Sequence, residues 1–570
     1  MKSFQKHLLV AGCLISFSIL LVLPQYFSGG IILGPDFLFH YNRFYDTAMQ
    51  IKNGNFQYFI STYGFQQSGR IVNALYGPIF AYLQGILLLL SRTWYNYQIF
   101  SRLVLNMIAS FSMYYLMRTA RIKTRVAVPM ACFYLTTFSI QDWTFRQGFT
   151  SWGAAIIPLA LIPAFKYITD HKINSIQLAL CVSLLLQIHV LSTILLVITY
   201  IPFFTYGLLK SSTPKKDIFK ICIAIFIFLL LTMNIWTVLL AISHSNNLVL
   251  PFINKQMYSY SVTEIGCYWL FTSLPLMAII VFLLYLSIKK WHSHTPLAKI
   301  CSINFFIFSL LSTSIFPWYL IIKYQIKPLE IFQFPFRFFV IVTIFACVLF
   351  AHFLSNHLSR SNNNKIYGVL SLVVLVGLFQ TTTFANKKYE YWMTNSSPLK
   401  NLGMLVFNSK NDKKIHNSLY STDLNSILEL VQKKTPDYLP SYHNNTKKNY
   451  KLYNRYIISA NSHFIKSVHN NSLVVTWYAK KRKTISVPII KYRNTKLILN
   501  GHKITGKKNQ YHLTKIGTPI VSQKKGRNKL VISYNIGNWF LPVMYIVIIT
   551  WFSCLTYIGW KFFRKLKNRQ

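Results

Sequence analysis

Gly34-Pro35-Asp36-Phe37-Leu38-Phe39-His40-Tyr41-Asn42-Arg43-Phe44-Tyr45-Asp46 stands just after the first apolar run of the chain, residues 7–28. Asp36, His40, Arg43 and Asp46 are spaced by 4, 3 and 3 positions, which places them on one face of a helix. Ionisable side chains at a membrane boundary are costly to keep, so function is the default reading. A carboxylate beside cations stays ionised, as a catalytic base or a cation ligand requires. The plainer alternative is a helix-capping Asp with surface ion pairs.

The rest of the chain supplies the membrane. It has 570 residues, 53% of them hydrophobic, and 60 Lys+Arg against 12 Asp+Glu, a net charge of +48. Many apolar runs have the length of a bilayer crossing, about 15–23 residues. Basic residues fall in short loops or in one late polar block, which suits topology and anionic lipid or polymer better than nucleic acid. No nucleic-acid motif is present. The cysteines, Cys13, Cys132, Cys181, Cys222, Cys267, Cys301, Cys347 and Cys554, lie in or beside apolar runs, and no CxxC pair suggests zinc or redox chemistry. Val10-Ala11-Gly12-Cys13 resembles a lipoprotein cleavage box, but too few apolar residues precede it. The expectation is an uncleaved first transmembrane helix.

Short basic loops mark the cytoplasmic side. With the N-terminus, Arg118–Arg125, Lys166–Lys172, Lys210–Lys220, Lys289–Lys299, Arg360–Lys365 and Lys561–Arg569 inside, crossings fall near 7–28, 97–117, 126–141, 152–168, 175–190, 193–209, 219–240, 267–288, 300–321, 336–355, 366–384 and 538–560. The fold class expected is thus a polytopic α-helical membrane protein with about twelve crossings. Pro78–Leu90 is too short to cross and would reverse the basic loops, so it reads as an outer juxtamembrane or re-entrant helix. The expected division is a transmembrane domain over 1–384 with an outer loop at 29–96, an extracellular basic domain over 385–537, and a final helix with a basic cytoplasmic tail over 538–570. Both termini are expected in the cytoplasm. The second half of 385–537 alternates in short runs such as Ser472–Tyr478, Thr484–Ile490 and Lys529–Tyr534, with turn signals such as Asn500-Gly501 between them, and predicts a β-sandwich-like module. Its many lysines suit an anionic neighbour or, more plainly, a solvated surface.

The same topology puts other polar groups at the outer face. Asp142 and Arg146 lie in Gln141-Asp142-Trp143-Thr144-Phe145-Arg146-Gln147-Gly148, where an Arg suits a phosphate or an interfacial anchor. His189 occupies the polar break Gln187-Ile188-His189-Val190-Leu191-Ser192, as a ligand or as a satisfied boundary residue. Glu330, Gln333 and Arg337 are spaced by 3 and 4, and Pro335 breaks the backbone so that Arg337 can be aimed into a cavity or snorkel. Glu264 lies in another outer loop with Tyr258 and Tyr260, whose rings fit an aromatic belt. No Walker loop, HExxH, GxSxG or nucleotide-sugar fingerprint occurs.

Taken together these motifs resemble a known group. Asp36-Phe37-Leu38-Phe39-His40-Tyr41-Asn42-Arg43 is similar to the "DFLFHLNR" stretch of bacterial membrane proteins of the GT-C glycosyltransferase superfamily, with the YfhO-like proteins and those catalogued as 6-pyruvoyl-tetrahydropterin-synthase-related membrane proteins nearest. Gln333-Phe334-Pro335-Phe336-Arg337 resembles their "QFPWR", Asp437-Tyr438-Leu439-Pro440 their "EYLP", and His189 with Ser192 their "H-x-x-S". The resemblance implies a GT-C-like fold and an inverting transferase using a polyprenyl-phosphate sugar donor, with Asp36 as general base and Arg337 and Arg146 stabilising the leaving phosphate. His40, Arg43, Asp46, Asp142, His189, Glu330 and Gln333 become candidates for substrate binding, and Asp46 and Asp142 for orienting the acceptor or a divalent cation. Beyond that candidate divalent cation, the motifs name no cofactor. The charge of the basic outer domain suits an anionic acceptor in the cell envelope, a cell-surface polymer such as teichoic acid or a glycolipid. The chain departs from its relatives at Arg146-Gln147-Gly148-Phe149-Thr150-Ser151, which lacks the Glu of their Arg-Gly…Gly-Glu pattern. It also lacks a His cluster suited to pterin-synthase zinc chemistry. A flippase of lipid-linked saccharide and a non-enzymatic envelope-assembly protein remain the alternatives.

Overall fold

The computed structural model describes residues 2–249, 251–264, 273–358, 363–394, 399, 404–442, 449–505 and 510–567. Helices fill the chain as far as Thr394: α1 (Lys2–Leu20), α2 (Leu23–Ser28), α3 (Phe37–Asn53), α4 (Val72–Tyr76), α5 (Pro78–Ser91), α6 (Trp94–Thr119), α7 (Thr124–Thr136), α8 (Phe138–Arg146), α9 (Thr150–Asp170), α10 (Ser175–Ile188), α11 (Val190–Leu209), α12 (Pro214–Leu231), α13 (Met233–Ser245), α14 (Leu274–Lys289), α15 (Pro296–Ser312), α16 (Phe339–His357) and α17 (Asn363–Thr394). A last helix, α18 (Phe540–Lys567), follows the strands. Among the described residues, seven helices are long and apolar enough to cross a membrane, and the pair α12 and α13, bent by 65°, makes up to eight. The chain is thus mostly helical, with a β-rich part before the last helix.

The expected crossings meet helices, but not always one unbroken helix. The run 126–141 is split at Thr137, whose extended backbone (ψ 151°) ends α7 before α8 begins. The run 300–321 ends as a helix at Ser312 and resumes only as the short turn Trp318–Lys323. The start of the run 267–288, with Cys267, lies outside the described residues. The breaks fall at Thr136-Thr137 and Ser312-Thr313-Ser314, a few hydroxyl residues inside otherwise apolar runs, which run length passes over.

α3 is not a surface helix. Most of its side chains are buried, His40, Arg43 and Asp46 among them. α5 lies across it so closely that a Cβ on Gly85 would stand 2.7 Å from Thr47 Oγ1, while Thr47 Oγ1 donates to the Ala81 carbonyl at 2.7 Å.

The strands form three antiparallel sheets. β1 (Leu405–Phe407) pairs with β2 (Val431–Lys433). β3 (Ile465–His469), β4 (Ser472–Ala479), β6 (Thr495–Leu499), β7 (His502–Ile504) and β10 (Gly526–Tyr534) form a five-stranded sheet in the order β3-β4-β10-β6-β7. β5 (Lys483–Ser486), β8 (Tyr511–Leu513) and β9 (Pro519–Gln523) form the third. Along β10, Leu530, Ile532 and Tyr534 point into the core and alternate with outward residues, as a half-buried strand requires.

Two hydrophobic cores divide the polar part of the chain. Ile415, Leu419, Leu424, Ile427, Leu428, Leu430 and Val431 join the helical core, whereas Leu473, Val475, Trp477, Leu497, Val521, Leu530 and Ile532 make a second one. That second core also takes in Phe59, Ile60, Ile71, Ala74 and Leu75, from the stretch between α3 and α5. The stretch is therefore built into the β-rich part, and polar ties reinforce it. Arg70, fully buried, donates through Nη1 to the Thr435 carbonyl at 2.7 Å and through Nη2 to the Asp437 carbonyl. Ile490 N donates to the Ser68 carbonyl at 2.7 Å. Arg70→Met strands the buried Thr435 carbonyl, at about 1–3 kcal/mol, and the part-buried Asp437 carbonyl at less. The expected result is protease cleavage between residues 57 and 76 in the folded protein, read by limited proteolysis; wild-type resistance in the variant is the contrary outcome.

Candidate functional site

Asp36 is the N-cap residue of α3, with no side-chain cap bond, and is about half exposed. Lys433, at the end of β2, places Nζ 3.1 Å from Asp36 Oδ1 and 2.6 Å from the Pro35 carbonyl. The loop that carries Asp36 is pressed against α8: a Cβ on Gly34 would stand 2.2 Å from the backbone of Arg146. Gln147, in the left-handed region at φ 52°, accepts from Gly34 N and donates through Nε2 to the Ile32 carbonyl at 3.0 Å. Gln147 thus staples the Asp36 loop to the end of α8.

Arg43 lies beneath, fully buried. Its Nε donates to Asn73 Oδ1 at 3.1 Å, its Nη1 is 3.4 Å from His40 Nδ1, and its Nη2 has no hydrogen-bond partner among the described residues. The guanidinium sits 4.5 Å from the centre of the Tyr76 ring and 5.2 Å from that of Phe149. Burial pulls its pKa down to about 10, against the small opposing pull of Tyr76, Tyr438 and Tyr97. His40 stacks on Phe149 with ring centres 4.8 Å apart, and burial, then Arg43, Lys433 and His189, hold it well below its usual range, so it is neutral at pH 7. His189 joins α10 to α11 as one extended residue, with Nδ1 2.8 Å from Ser192 Oγ.

Asp142 is buried, with Oδ1 lacking a hydrogen bond among the described residues and 4.0 Å from Arg146 Nε. A Cβ on Gly148 would stand 1.8 Å from its carboxylate, so only Gly lets that turn close over it. Burial raises Asp142 to about 6 against the pull of Arg146 and Arg337. Arg337 donates through Nη1 to Gln333 Oε1 at 2.9 Å and to the Phe332 carbonyl at 3.0 Å. Gln333, at φ 57°, is itself tied to the Phe252 carbonyl, and its own carbonyl accepts from Asn254 Nδ2 at 2.8 Å. Arg337 acts electrostatically on Asp142 and His189, and Asp36, Asp142 and Arg146 act on it in turn.

The structure therefore gathers Asp36, His40, Arg43, Asp142, Arg146, His189, Gln333 and Arg337 at one end of the helices. It gives Asp46 and Glu330 other places. Asp46 Oδ1 accepts from Tyr63 N at 2.8 Å and Gly64 N at 3.0 Å, and Oδ2 accepts from Gln50 Nε2 at 2.9 Å and Asn73 Nδ2 at 3.4 Å. It pins the loop after α3. Glu330 ends the short helix Lys327–Glu330, half-buried, and does not figure among the charges acting on Asp142, His189 or Arg337. Sequence reasoning missed Lys433, Tyr76, Asn73, Phe149 and Tyr438, whose ring lies 5.8 Å from Tyr76 at 85°. Only Tyr438 carried a signal, the Asp437–Pro440 motif. Among the described residues, no three of His, Cys, Asp and Glu come together as a group able to hold a metal ion.

Burial raises Asp46 to about 6, with the backbone amides of Tyr63, Gly64 and Thr62 and the Gln50 side chain pulling the other way. A raised folded-state pKa favours the protonated form, so this contribution is complete below about pH 4 and is lost as pH rises through about 6. Thermal unfolding of wild type against Asp46→Asn from pH 4 to 7 checks it. The wild type is expected to lose on the order of 3 kcal/mol relative to the variant over that range; parallel curves overturn it.

No family model matches the chain, and no curated protein matches it. Among solved structures it is similar to the apo form of an oligosaccharyltransferase from Archaeoglobus fulgidus, with a TM-score of 0.37 and 15% identity over 76% of this chain and 61% of that one. The chain spans about three-fifths of that protein's length.

Proposed function

We propose that the chain is a membrane glycosyltransferase that moves a sugar from a polyprenyl-phosphate carrier to a polymer or lipid of the cell surface, with inversion at the anomeric carbon. One observation carries this reading: a solvent-accessible carboxylate, Asp36, acts electrostatically on Arg337, which Arg146 also faces and which shares this end of the helices with the buried Arg43, and among the described residues the carboxylate in salt-bridge contact with these three is Asp142 alone, 4.0 Å from Arg146. Such a site has a proton acceptor on one side and unspent positive charge on the other.

In this reading Asp36 takes the proton of an acceptor hydroxyl. The hydroxyl oxygen bonds to the anomeric carbon from the face opposite the phosphate, and the bond from that carbon to the phosphate oxygen breaks with its electron pair left on the phosphate. The lipid phosphate gains one negative charge, which Arg337 and Arg146 stabilise, with Arg43 behind them. Asp142 orients Arg146, and neutral His40 holds Arg43 without competing for the anion. The motif resemblance agrees with these roles. The loop 29–96, the part 385–537 and this site are placed at the outer face, with both termini in the cytoplasm and the last helix over 538–570.

One feature favours the flippase alternative: the span α12–α13 is broken by 65°, and broken helices recur in transporters. The test compares the sugar content of surface polymers and glycolipids in cells with the intact gene, a deletion, and a deletion rescued by well-expressed Asp36→Asn. A sugar lost in the deletion and not restored by the variant supports the transferase and names its sugar. Restoration by Asp36→Asn moves the assignment to transport or assembly.

A further inference from the structure

No Asp or Glu follows Asp437. Within that acid-free part, Lys480-Lys481-Arg482-Lys483 leads from β4 into β5, and Lys524-Lys525-Gly526-Arg527 leads from β9 into β10. The sheet register brings the two turns together: Gly526 lies opposite Ala479, and Gln523 lies opposite Lys483. All the cations of both turns are exposed, and so is Tyr478, opposite Arg527.

The turns are fixed by buried amides. Gln523 donates through Nε2 to the Lys481 carbonyl at 3.1 Å and accepts from Trp477 Nε1 at 3.0 Å. Asn528, fully buried, accepts from Lys524 N at 2.9 Å and donates through Nδ2 to the Lys524 and Gly526 carbonyls at 2.8 and 3.1 Å. Like charges held this close repel one another and oppose folding. Two buried amides that lock them in place make a prepared anion surface rather than a loose charged tail.

We infer that these paired turns bind a linear phosphate-bearing polymer, which would bring the acceptor chain to the protein. The inference rests on the outward placement of this part under the proposed function, and not on the role of Asp36. The position of the turns favours a free polymer over lipid headgroups. β10 has 9 residues and spans about 27 Å. Its far end, Tyr534, stacks on Phe59 beside Phe540, where α18 begins. β4 likewise starts next to Asn471, whose carbonyl accepts from Gln57. The basic ends of both strands are thus directed away from the helices, by roughly three Debye lengths at physiological salt.

The test uses the full-length protein in neutral detergent and fluorescein-labelled linear inorganic polyphosphate, read by anisotropy. If about five phosphates are neutralised, binding weakens about 100-fold between about 50 and about 200 mM salt. The combined variant K480Q/K481Q/R482Q/K483Q is expected to bind at least about tenfold more weakly, by the same counterion argument. A control with the same charge change on other exposed lysines, K410Q/K413Q/K414Q/K451Q, is expected to bind like wild type. Asp36→Asn is also expected to bind like wild type, so failure of the catalytic assignment and failure of this one are told apart. Equal weakening in the control, or wild-type binding by the turn variant, overturns the site. Displacement of polyphosphate by anionic lipid vesicles whose own binding is lost in the turn variant assigns the surface to lipid instead and overturns the polymer reading.

Discussion

Asp36→Asn is expected to lower the rate of sugar transfer by about 10²–10⁴-fold, the usual worth of a positioned general base. The protein itself is expected to remain folded. Asp36 makes no side-chain cap bond, and its contact with Lys433 is an ion pair at a half-exposed position, worth at most about 1 kcal/mol. Asn is also as good an N-cap residue as Asp. The measurement is the initial rate of label incorporation into the product that the deletion loses, at matched protein level. A rate within a few-fold of wild type removes Asp36 from the chemistry.

Arg43→Met is expected to have the second largest effect, with activity and stability moving apart. Transfer should fall by about 10²–10³-fold if the guanidinium helps to hold the leaving charge. The unfolding temperature should stay level or rise. Burial of an ion without a contacting carboxylate costs several kcal/mol, and Nη2 has no partner among the described residues. Against that, the variant leaves Asn73 Oδ1 without its donor and removes the contact with His40, at about 1–3 kcal/mol for a stranded polar group. Thermal unfolding in detergent, measured beside the transfer rate, decides between the two roles. A large drop in unfolding temperature that accounts for the lost activity would make Arg43 a structural residue.

What the sequence could show was local. The spacing of His40 and Arg43, of Gln333 and Arg337, and of His189 and Ser192 each became a side-chain contact, at 3.4, 2.9 and 2.8 Å. Periodicity holds as long as the backbone is regular, and it misleads where the backbone turns. Glu330 was placed with Arg337 by its spacing, but Gln333 is left-handed and the 3₁₀ turn Pro335–Phe338 intervenes, so the face is not continued. Asp46 shares α3 with Arg43, yet its partners are the amides of Tyr63 and Gly64, in a loop whose path depends on the second core. Lys433 reaches Asp36 across 397 positions of chain, and no local pattern marks such a pairing. Helices were legible from run length; the breaks at Thr137 and Ser312 were not, because the apolar run resumes on both sides of a few hydroxyl residues.

The sharing of the second core between the stretch after α3 and the late strands sets an order of events during biosynthesis. Phe59, Ile60, Ile71 and Leu75 leave the ribosome early, but Leu473, Leu530 and Ile532, which cover them, come near the end. Gln57 waits for Asn471 across 414 residues, roughly 20–80 s at about 5–20 residues per second. Until then the loop after α3 lacks its apolar cover and is held by the Arg70 clamp to Thr435 and Asp437 alone. The nascent protein is inserted but unfinished, and a chain stopped before β4 is expected to remain in that state for good.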